Sequence, residues 1–329
     1  MSTEILGDRH LVGLGGVAIG TAFQDITDET ANRILESAWD LGVRYYDTSP
    51  WYGLTKSEKR FGDFLVNKDR TDFVFSTKVG RLFKQVSQQN VPPSMWKNPF
   101  NYDFIHDYSG DGVKRSIEES LQRTGLDSID IVYVHDLSED QVGDRYPYFL
   151  KQAKDGAFKV LSDLRDQKII KAWGMGVNKI EPILDCISCA DPDICLSATQ
   201  YSILDHEDAV DRLLPAVKKA GVKLVSGAGY NSGYIAGRER YNYKEHIPKG
   251  MNENRHKISE IAKKNGINII DAALQFVLAS DEFSSIIPGA SNSEQVVHNM
   301  NAFKTTIPKE FWAELKEEGL IYEKAQVPE

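Results

Sequence analysis

Cysteine is scarce in this 329-residue chain: Cys186, Cys189 and Cys195 are the only three. An odd, small number in a chain this long is no disulfide framework. The pair Cys186-x-x-Cys189 offers two soft ligands where a structural zinc takes four. Adjacent His135 and Asp136 lack a third and fourth ligand at a recognisable spacing, so no metal is expected. Long apolar runs are also missing, since nothing approaches the 18 residues needed to span a bilayer. The opening MSTEILGDRH has no basic segment followed by an apolar stretch, so no secretion signal is read and the cytoplasm is the expected compartment. Positive charge is in deficit, with 39 Lys and Arg against 48 Asp and Glu, a net −9. That balance argues against a surface built to coat nucleic acid, although it allows a local basic pocket. No GxSxG nucleophile motif, internal repeat or low-complexity tract occurs. What is present, 41% hydrophobic and 26% charged residues, is the composition of a globular chain with an ample core.

Short apolar runs alternate with longer amphipathic segments almost from end to end. Strands are expected at 11–15, 44–47, 73–78, 129–135, 169–176, 194–199, 223–226 and 284–287. Helical periodicity fills 28–41, 56–67, 112–124, 149–166, 180–188, 207–219 and 252–265. Runs such as DIVYV and KLVS are continuously apolar, as suits parallel strands covered on both faces. Gly42, Gly125, Gly221 and Gly266 each close a helical pattern, as C-cap glycines do. Eight strand–helix units without a linker predict an α/β fold, a (β/α)8 TIM barrel forming a single domain over 1–329, with extra C-terminal helices. A doubly wound sheet is the alternative from pattern alone. The polar-aromatic stretch 81–111 reads as a long loop after strand 3 and a candidate substrate lid. No apolar stripe is left over on the helices, so no obligatory protein partner is inferred.

The glycine-rich start GLGGVAIG imitates a dinucleotide fingerprint. The fingerprint needs a helix opening at the glycines and an acid about 20 residues on. Here helical periodicity begins near Asp28, and the acid ending strand 2 is Asp47. These glycines are read as turning chain at the mouth of strand 1.

In a barrel, polar residues at the C-terminal strand ends converge on one mouth. Asp47 ends strand 2 and is followed by Tyr52, Lys78 ends strand 3, and His135 ends strand 4. A lysine closing an apolar strand needs a counter-charge, and Asp47 on the neighbouring strand is the natural partner. An ammonium beside a phenol favours the phenolate, which makes Tyr52 a candidate general acid/base, with His135 orienting the reacting oxygen. Side chains cannot accept hydride, so redox chemistry at such a site implies a nicotinamide.

DTSPWYG together with Lys78 and His135 resembles the aldo-keto reductase pattern D-T-[AS]-x-x-Y-G with a strand-end Lys and His. Similarity extends through SEKRFGDFL, FVFSTKVGRLF, GYNSG and IIPGASNSEQVVHN, most like the bacterial subgroup of D-threo-aldose (L-fucose or galactose) 1-dehydrogenases and pyridoxal 4-dehydrogenase. The resemblance implies a catalytic tetrad of Asp47, Tyr52, Lys78 and His135, and a nicotinamide dinucleotide extended across the mouth. Strand 5 departs from the family's G-x-S-N, with Gly176 and Val177 at the Ser-Asn positions. Asn178 and Gln200 are the candidates for the carboxamide, and Tyr230 for stacking on the nicotinamide. After strand 8, Gly289, Ser291 and Gln295 stand where NADPH-preferring members carry Lys or Arg. NAD is therefore the expected cofactor, its ribose and adenine end met by Ser291, Asn292, Gln295 and Asn299. Phe23, Trp51 and Asp136 are the candidate substrate contacts, while Trp173 and the aromatics Trp96, Phe100, Tyr102, Phe104 and Tyr108 are further possible lining. The expected reaction is NAD-dependent oxidation of a cyclic hemiacetal, an aldose such as L-fucose or pyridoxal, to a lactone. An NAD(P)H-dependent aldehyde or ketone reductase is one alternative, and a nicotinamide-binding regulatory subunit with little catalysis is the other.

Overall fold

The computed structural model describes residues 5–328. Eight parallel strands form one sheet in the order β1 (Leu14–Gly15), β2 (Tyr45–Asp47), β3 (Val74–Val79), β6 (Ile131–His135), β7 (Ala172–Val177), β8 (Ile194–Ser197), β9 (Lys223–Ser226) and β10 (Phe283–Ile286). Parallel bridges Val12↔Ile286 and Gly15↔Gly289 join the last strand to the first. With Gly13 N donating to Ile286 O at 2.8 Å, they curl the sheet into the expected barrel. Strands β4 (Arg81–Gln85) and β5 (Tyr102–His106) pair with each other as a separate antiparallel hairpin. The stretch read from sequence as an irregular loop is thus a hairpin with an irregular tip, braced against the mouth by the Ala22↔Trp96 bridge.

Side-chain alternation divides the core in two. Inward residues Tyr45, Val74, Ile131, Tyr133, Ala172, Ile194, Leu196, Val225 and Ile287 fill the barrel, and Leu6 joins this inner cluster. Outward residues pack under the helices in a larger cluster. Trp173 belongs to the second set: wholly buried, it stacks on Phe158 of helix Ala157–Asp166 at 5.5 Å. It is therefore not pocket lining, because its neighbours Ala172 and Gly174 take the inward positions. Gly174 and Gly176 of β7 stand beside Tyr133 and His135 of β6 in register, so the smallest residues of one strand accommodate bulky neighbours on the other.

The segment read as one helix over 149–166 is two, Tyr146–Asp155 and Ala157–Asp166, broken at Gly156. A β-carbon at Gly156 would lie 2.4 Å from Gly110 N, where helix Gly110–Thr124 begins. Close approach of two backbones, invisible in periodicity, places the break. Helices Ile269–Leu278, Ser293–Asn301 and Lys309–Glu317 complete the C-terminal part. Among the described residues no helix is long and apolar enough to cross a membrane.

Candidate active site

The strand ends of the barrel open on a cavity of about 780 Å³, within the usual range for small-molecule and cofactor sites. Asp47, Tyr52, Lys78 and His135 all line it. Lys78 Nζ donates to Asp47 Oδ2 at 2.7 Å and to Thr48 O at 2.8 Å. The register explains the meeting: Asp47 pairs with Ser76 across β2 and β3, so Lys78 lies two residues further toward the mouth on the same face. Ser76 Oγ donates to the other Asp47 oxygen at 2.7 Å, and Tyr45 OH and Tyr133 OH continue the polar contacts inward at 3.2 and 3.1 Å. Burial pushes the Asp47 carboxyl up and the Lys78 ammonium down, and their mutual attraction opposes both shifts.

Tyr52 sits in a turn held by its own N–H to Ser49 O at 3.0 Å, followed by Gly53, Leu54 and Thr55, all at positive φ. Two of these are not glycine, a conformation costing about 1–3 kcal/mol each that the surroundings must impose. Gly20 lets the β1 loop pass close by, since a β-carbon there would lie 2.8 Å from Tyr52 Cβ. This glycine of the false fingerprint is needed for packing against the Tyr52 turn. Lys78 Nζ lies 4.8 Å from the Tyr52 ring centroid, and the His135 ring meets Tyr52 edge-on at 5.8 Å. The expected lowering of the phenol by the ammonium is not what the site does. Burial, reinforced by Asp47, Tyr243 and Asp136, pushes Tyr52 well above its ordinary value, so the resting group is a phenol with its proton. His135 is pushed well below the ordinary imidazole range by burial and by Arg81, Lys78 and His106, and rests neutral.

Of the remaining candidates, Asn178, Tyr230, Ser291, Gln295 and Asn299 line the same cavity, as do Phe23, Trp51 and Asp136. The Tyr230 hydroxyl donates to Asn299 Oδ1 at 2.7 Å, tying the β9 loop to helix Ser293–Asn301. Gln295 Oε1 accepts from Ser291 N at 2.8 Å. Two candidates fall outside the wall. Gln200 donates to Thr199 Oγ1 at 3.2 Å instead. Pairing of β8 ends at Ser197 and Thr199 turns to φ 66°, so strand alternation does not reach position 200. Asn292 caps the following helix, its Oδ1 accepting from Gln295 N at 2.9 Å. In the aromatic stretch, Trp96 lines the cavity, Phe104 packs edge-on against Trp51 at 5.0 Å, and Tyr108 is wholly buried.

Sequence reading missed four contributors. Tyr243, Arg238 and Arg240 enter the wall from the long loop after β9, where no strand end marks them. Tyr243 stacks on Phe23 at 6.4 Å, and the Arg240 guanidinium lies 4.0 Å from the same ring centroid. Arg81, three residues past Lys78, reaches back to His135 and Asp136 behind the wall. Gly80 makes that return possible: its φ is 112°, and a β-carbon would lie 2.3 Å from the Tyr108 ring. The cation directly after a strand-end KVG was the available signal.

A strand-end Asp–Lys pair, a phenol and an imidazole thus share one barrel mouth. The chain belongs to the aldo/keto reductase family, whose profile matches residues 11–318. It is 35% identical over 324 residues to pyridoxal 4-dehydrogenase of Microbacterium luteolum, covering 94% of each chain. It is 34% identical over 319 residues to D-threo-aldose 1-dehydrogenase of a Pseudomonas species, again covering 94% of each. Its fold matches that of an aldo-keto reductase from Bacillus halodurans in holo form, with a TM-score of 0.71 at 23% identity, over 97% of this chain and 94% of that one. Membership implies a nicotinamide cofactor, and the residues present suit one. The cavity runs from the Tyr52 site to Ser291 and Asn299, and the Asn178 amide on its wall makes no side-chain hydrogen bond among the described residues.

Proposed function

We propose that this protein oxidises a cyclic hemiacetal, an aldose such as L-fucose or the hemiacetal of pyridoxal, to the corresponding lactone with NAD as hydride acceptor. The observation that carries this reading is the convergence of Tyr52, the Lys78–Asp47 pair and His135 on one cavity that also takes in Ser291, Gln295 and Asn299. For the oxidation Tyr52 acts as phenolate: its own proton leaves for solvent before the step, and the phenolate then takes the proton of the hemiacetal hydroxyl while His135 holds the same oxygen through its ring N–H. Lys78, kept cationic and in place by Asp47 and Thr48 O, stabilises the phenolate that accepts this proton. A nicotinamide held in this cavity would supply the hydride acceptor and, in its oxidised form, a positive charge that favours the phenolate. Proton and hydride together leave the hemiacetal carbon as a lactone carbonyl. Orientation and fixed charge supply the acceleration, with no covalent intermediate on the protein.

Trp51 and Phe23 line the cavity with aromatic surface suited to either the apolar face of a sugar or a pyridine, and Asp136 lies beside the His135 ring nitrogen assigned to the reacting oxygen. Asn178, Tyr230, Ser291, Gln295 and Asn299 would hold the dinucleotide. The loop after β10 presents hydroxyl and amide groups rather than cations to the ribose, which favours NAD over a cofactor bearing a 2′-phosphate. Arg240, the cation closest to Phe23, is engaged with that ring and with Ser232 O at 2.8 Å.

The direct test follows reduced-cofactor formation with L-fucose, D-arabinose, L-galactose, L-xylose, L-glucose and pyridoxal, each with NAD and NADP. We expect turnover on at least one hemiacetal, faster with NAD, yielding one lactone per NADH. NADPH-driven reduction of aldehydes with no oxidation of any of these substrates would replace the reading with a reductase.

A further inference from the structure

The role given to His135 requires a hydrogen on the ring nitrogen that faces the substrate, and a neutral imidazole carries only one. What touches the other nitrogen decides where it sits. Nδ1 lies 3.0 Å from Ser49 Oγ and 3.2 Å from a terminal nitrogen of Arg81. A hydroxyl serves as donor or acceptor, but a guanidinium only donates. Nδ1 must therefore accept, and the proton of the neutral ring resides on Nε2. That nitrogen has no hydrogen-bond partner among the described residues; its nearest charged neighbour is Asp136 Oδ2 at 3.6 Å. The other terminal nitrogen of Arg81 donates to that same Asp136 oxygen at 3.0 Å.

One guanidinium thus occupies both competitors for the imidazole: the lone pair of Nδ1 and the carboxylate next in sequence. The fork is immobilised, with Arg81 5% exposed and its head 5.0 Å from the Trp51 ring centroid and 5.4 Å from that of Phe104. Arg81 itself lies outside the cavity wall. We infer that Arg81 is a positioning residue for the hydride-transfer step, fixing His135 as the Nε2–H tautomer and keeping Asp136 from drawing that hydrogen away from the reacting oxygen. This rests on the role assigned to His135 in the proposed function. The charged and titratable groups around the ring are Arg81 and His106 from the hairpin, Lys78 from β3, Asp136 beside it, and Tyr52 from the β2 turn, with Tyr243 of the β9 loop facing Asp136. The cations among them oppose a second proton on the imidazole.

The test is nitrogen NMR on the full-length enzyme labelled with ¹⁵N-histidine, using His135→Asn to assign the signal. The wild type should show a neutral Nε2–H ring that does not titrate between pH 5.5 and 8. In Arg81→Met the ring should move to Nδ1–H or titrate in the ordinary range near 6.5. In the same variant kcat/KM should fall about 100-fold and gain an acid limb, while the dissociation constant of NADH stays within about threefold. Should Arg81→Met not fold cooperatively, the double variant Arg81→Met with Asp136→Asn removes the unpaired carboxylate and is read the same way. A wild-type ring bearing its proton on Nδ1, or a folded Arg81 variant whose His135 spectrum is unchanged, overturns the inference. The spectrum needs no turnover, so failure of every hemiacetal substrate would be a separate result.

Discussion

Both ends of the barrel hold carboxylate–cation pairs, and the two ends use them differently. At the floor, Asp130 just before β6 meets Arg70 at 2.5 Å and Lys171 at 2.8 Å, and accepts the backbone N–H of Phe75 on β3 at 2.7 Å. Asp193 just before β8 likewise meets Arg165 at 3.3 Å and accepts Trp173 N of β7 at 3.1 Å. Each acid stitches the start of its own strand to a neighbour, and its cations reach solvent, Lys171 being 61% exposed. At the mouth, Lys78, Asp47, Arg81 and Asp136 are all below 10% exposed, and three of the four open on the cavity. Floor pairs spend their hydrogen bonds on the backbone. Mouth pairs present their groups to the cavity. The same pairing serves the backbone in one place and lines a cavity in the other, according to what faces the spare lone pairs and hydrogens.

Breaking the mouth should cost activity rather than stability. Removing the hydroxyl proposed to transfer the proton, in Tyr52→Phe, is expected to lower kcat about 1,000-fold, with the NADH dissociation constant changed less than about threefold. Equal losses in both quantities would recast Tyr52 as a binding residue. Breaking the floor should do the reverse. Asp130→Ala strands the Phe75 N–H and two cations, and should lower unfolding free energy by about 3 kcal/mol in denaturant titration. Its kcat should stay within about threefold of wild type, and a collapse of turnover in the folded variant would erase the distinction between the two ends.

A smaller effect carries the comparison to the outside of the barrel. His206, buried against Phe276, accepts the backbone N–H of Tyr322 at 2.9 Å, and burial holds its imidazole down to about 4. The folded state therefore binds a proton less readily than the unfolded chain does. The stability this group contributes is whole above about pH 6.5 and is lost as pH falls toward 4. His206→Gln should reduce the acid-induced loss of stability across that window by about 1–2 kcal/mol. An unchanged slope would assign the loss to His106, also held near 4, and to other groups.

Alternation of apolar runs and helical periodicity is enough to read the barrel, because each strand–helix unit writes both periods locally. It misplaces what depends on contacts between distant segments. The break at Gly156 is set by the backbone at Gly110, and the β4–β5 hairpin is obscured by aromatics that cover Trp51 rather than a conventional core. Strand β1 shrinks to Leu14–Gly15 because its remaining contacts are single bridges. At the site, the strand-end rule finds Asp47, Lys78 and His135, since topology alone makes strand ends converge. It is blind to Tyr243, delivered by a loop whose path depends on Asn231, Ser232, Asn242 and Tyr243 itself adopting positive φ. Parity fails for Gln200 at the point where the strand ends.

The hydroxyls beneath Asp47 have a direction. A carboxylate only accepts, so the single hydrogen of Ser76 is committed to it, Tyr45 must then give its own to Ser76, and Tyr133 must give its own to Tyr45. Three O–H dipoles are thereby aligned head to tail inside the barrel, where all three side chains are fully buried, each strengthening the next. A tyrosine on β6 that never meets solvent is in this way electrically continuous with the counter-ion of Lys78, and replacing it with phenylalanine would remove the first link in that line.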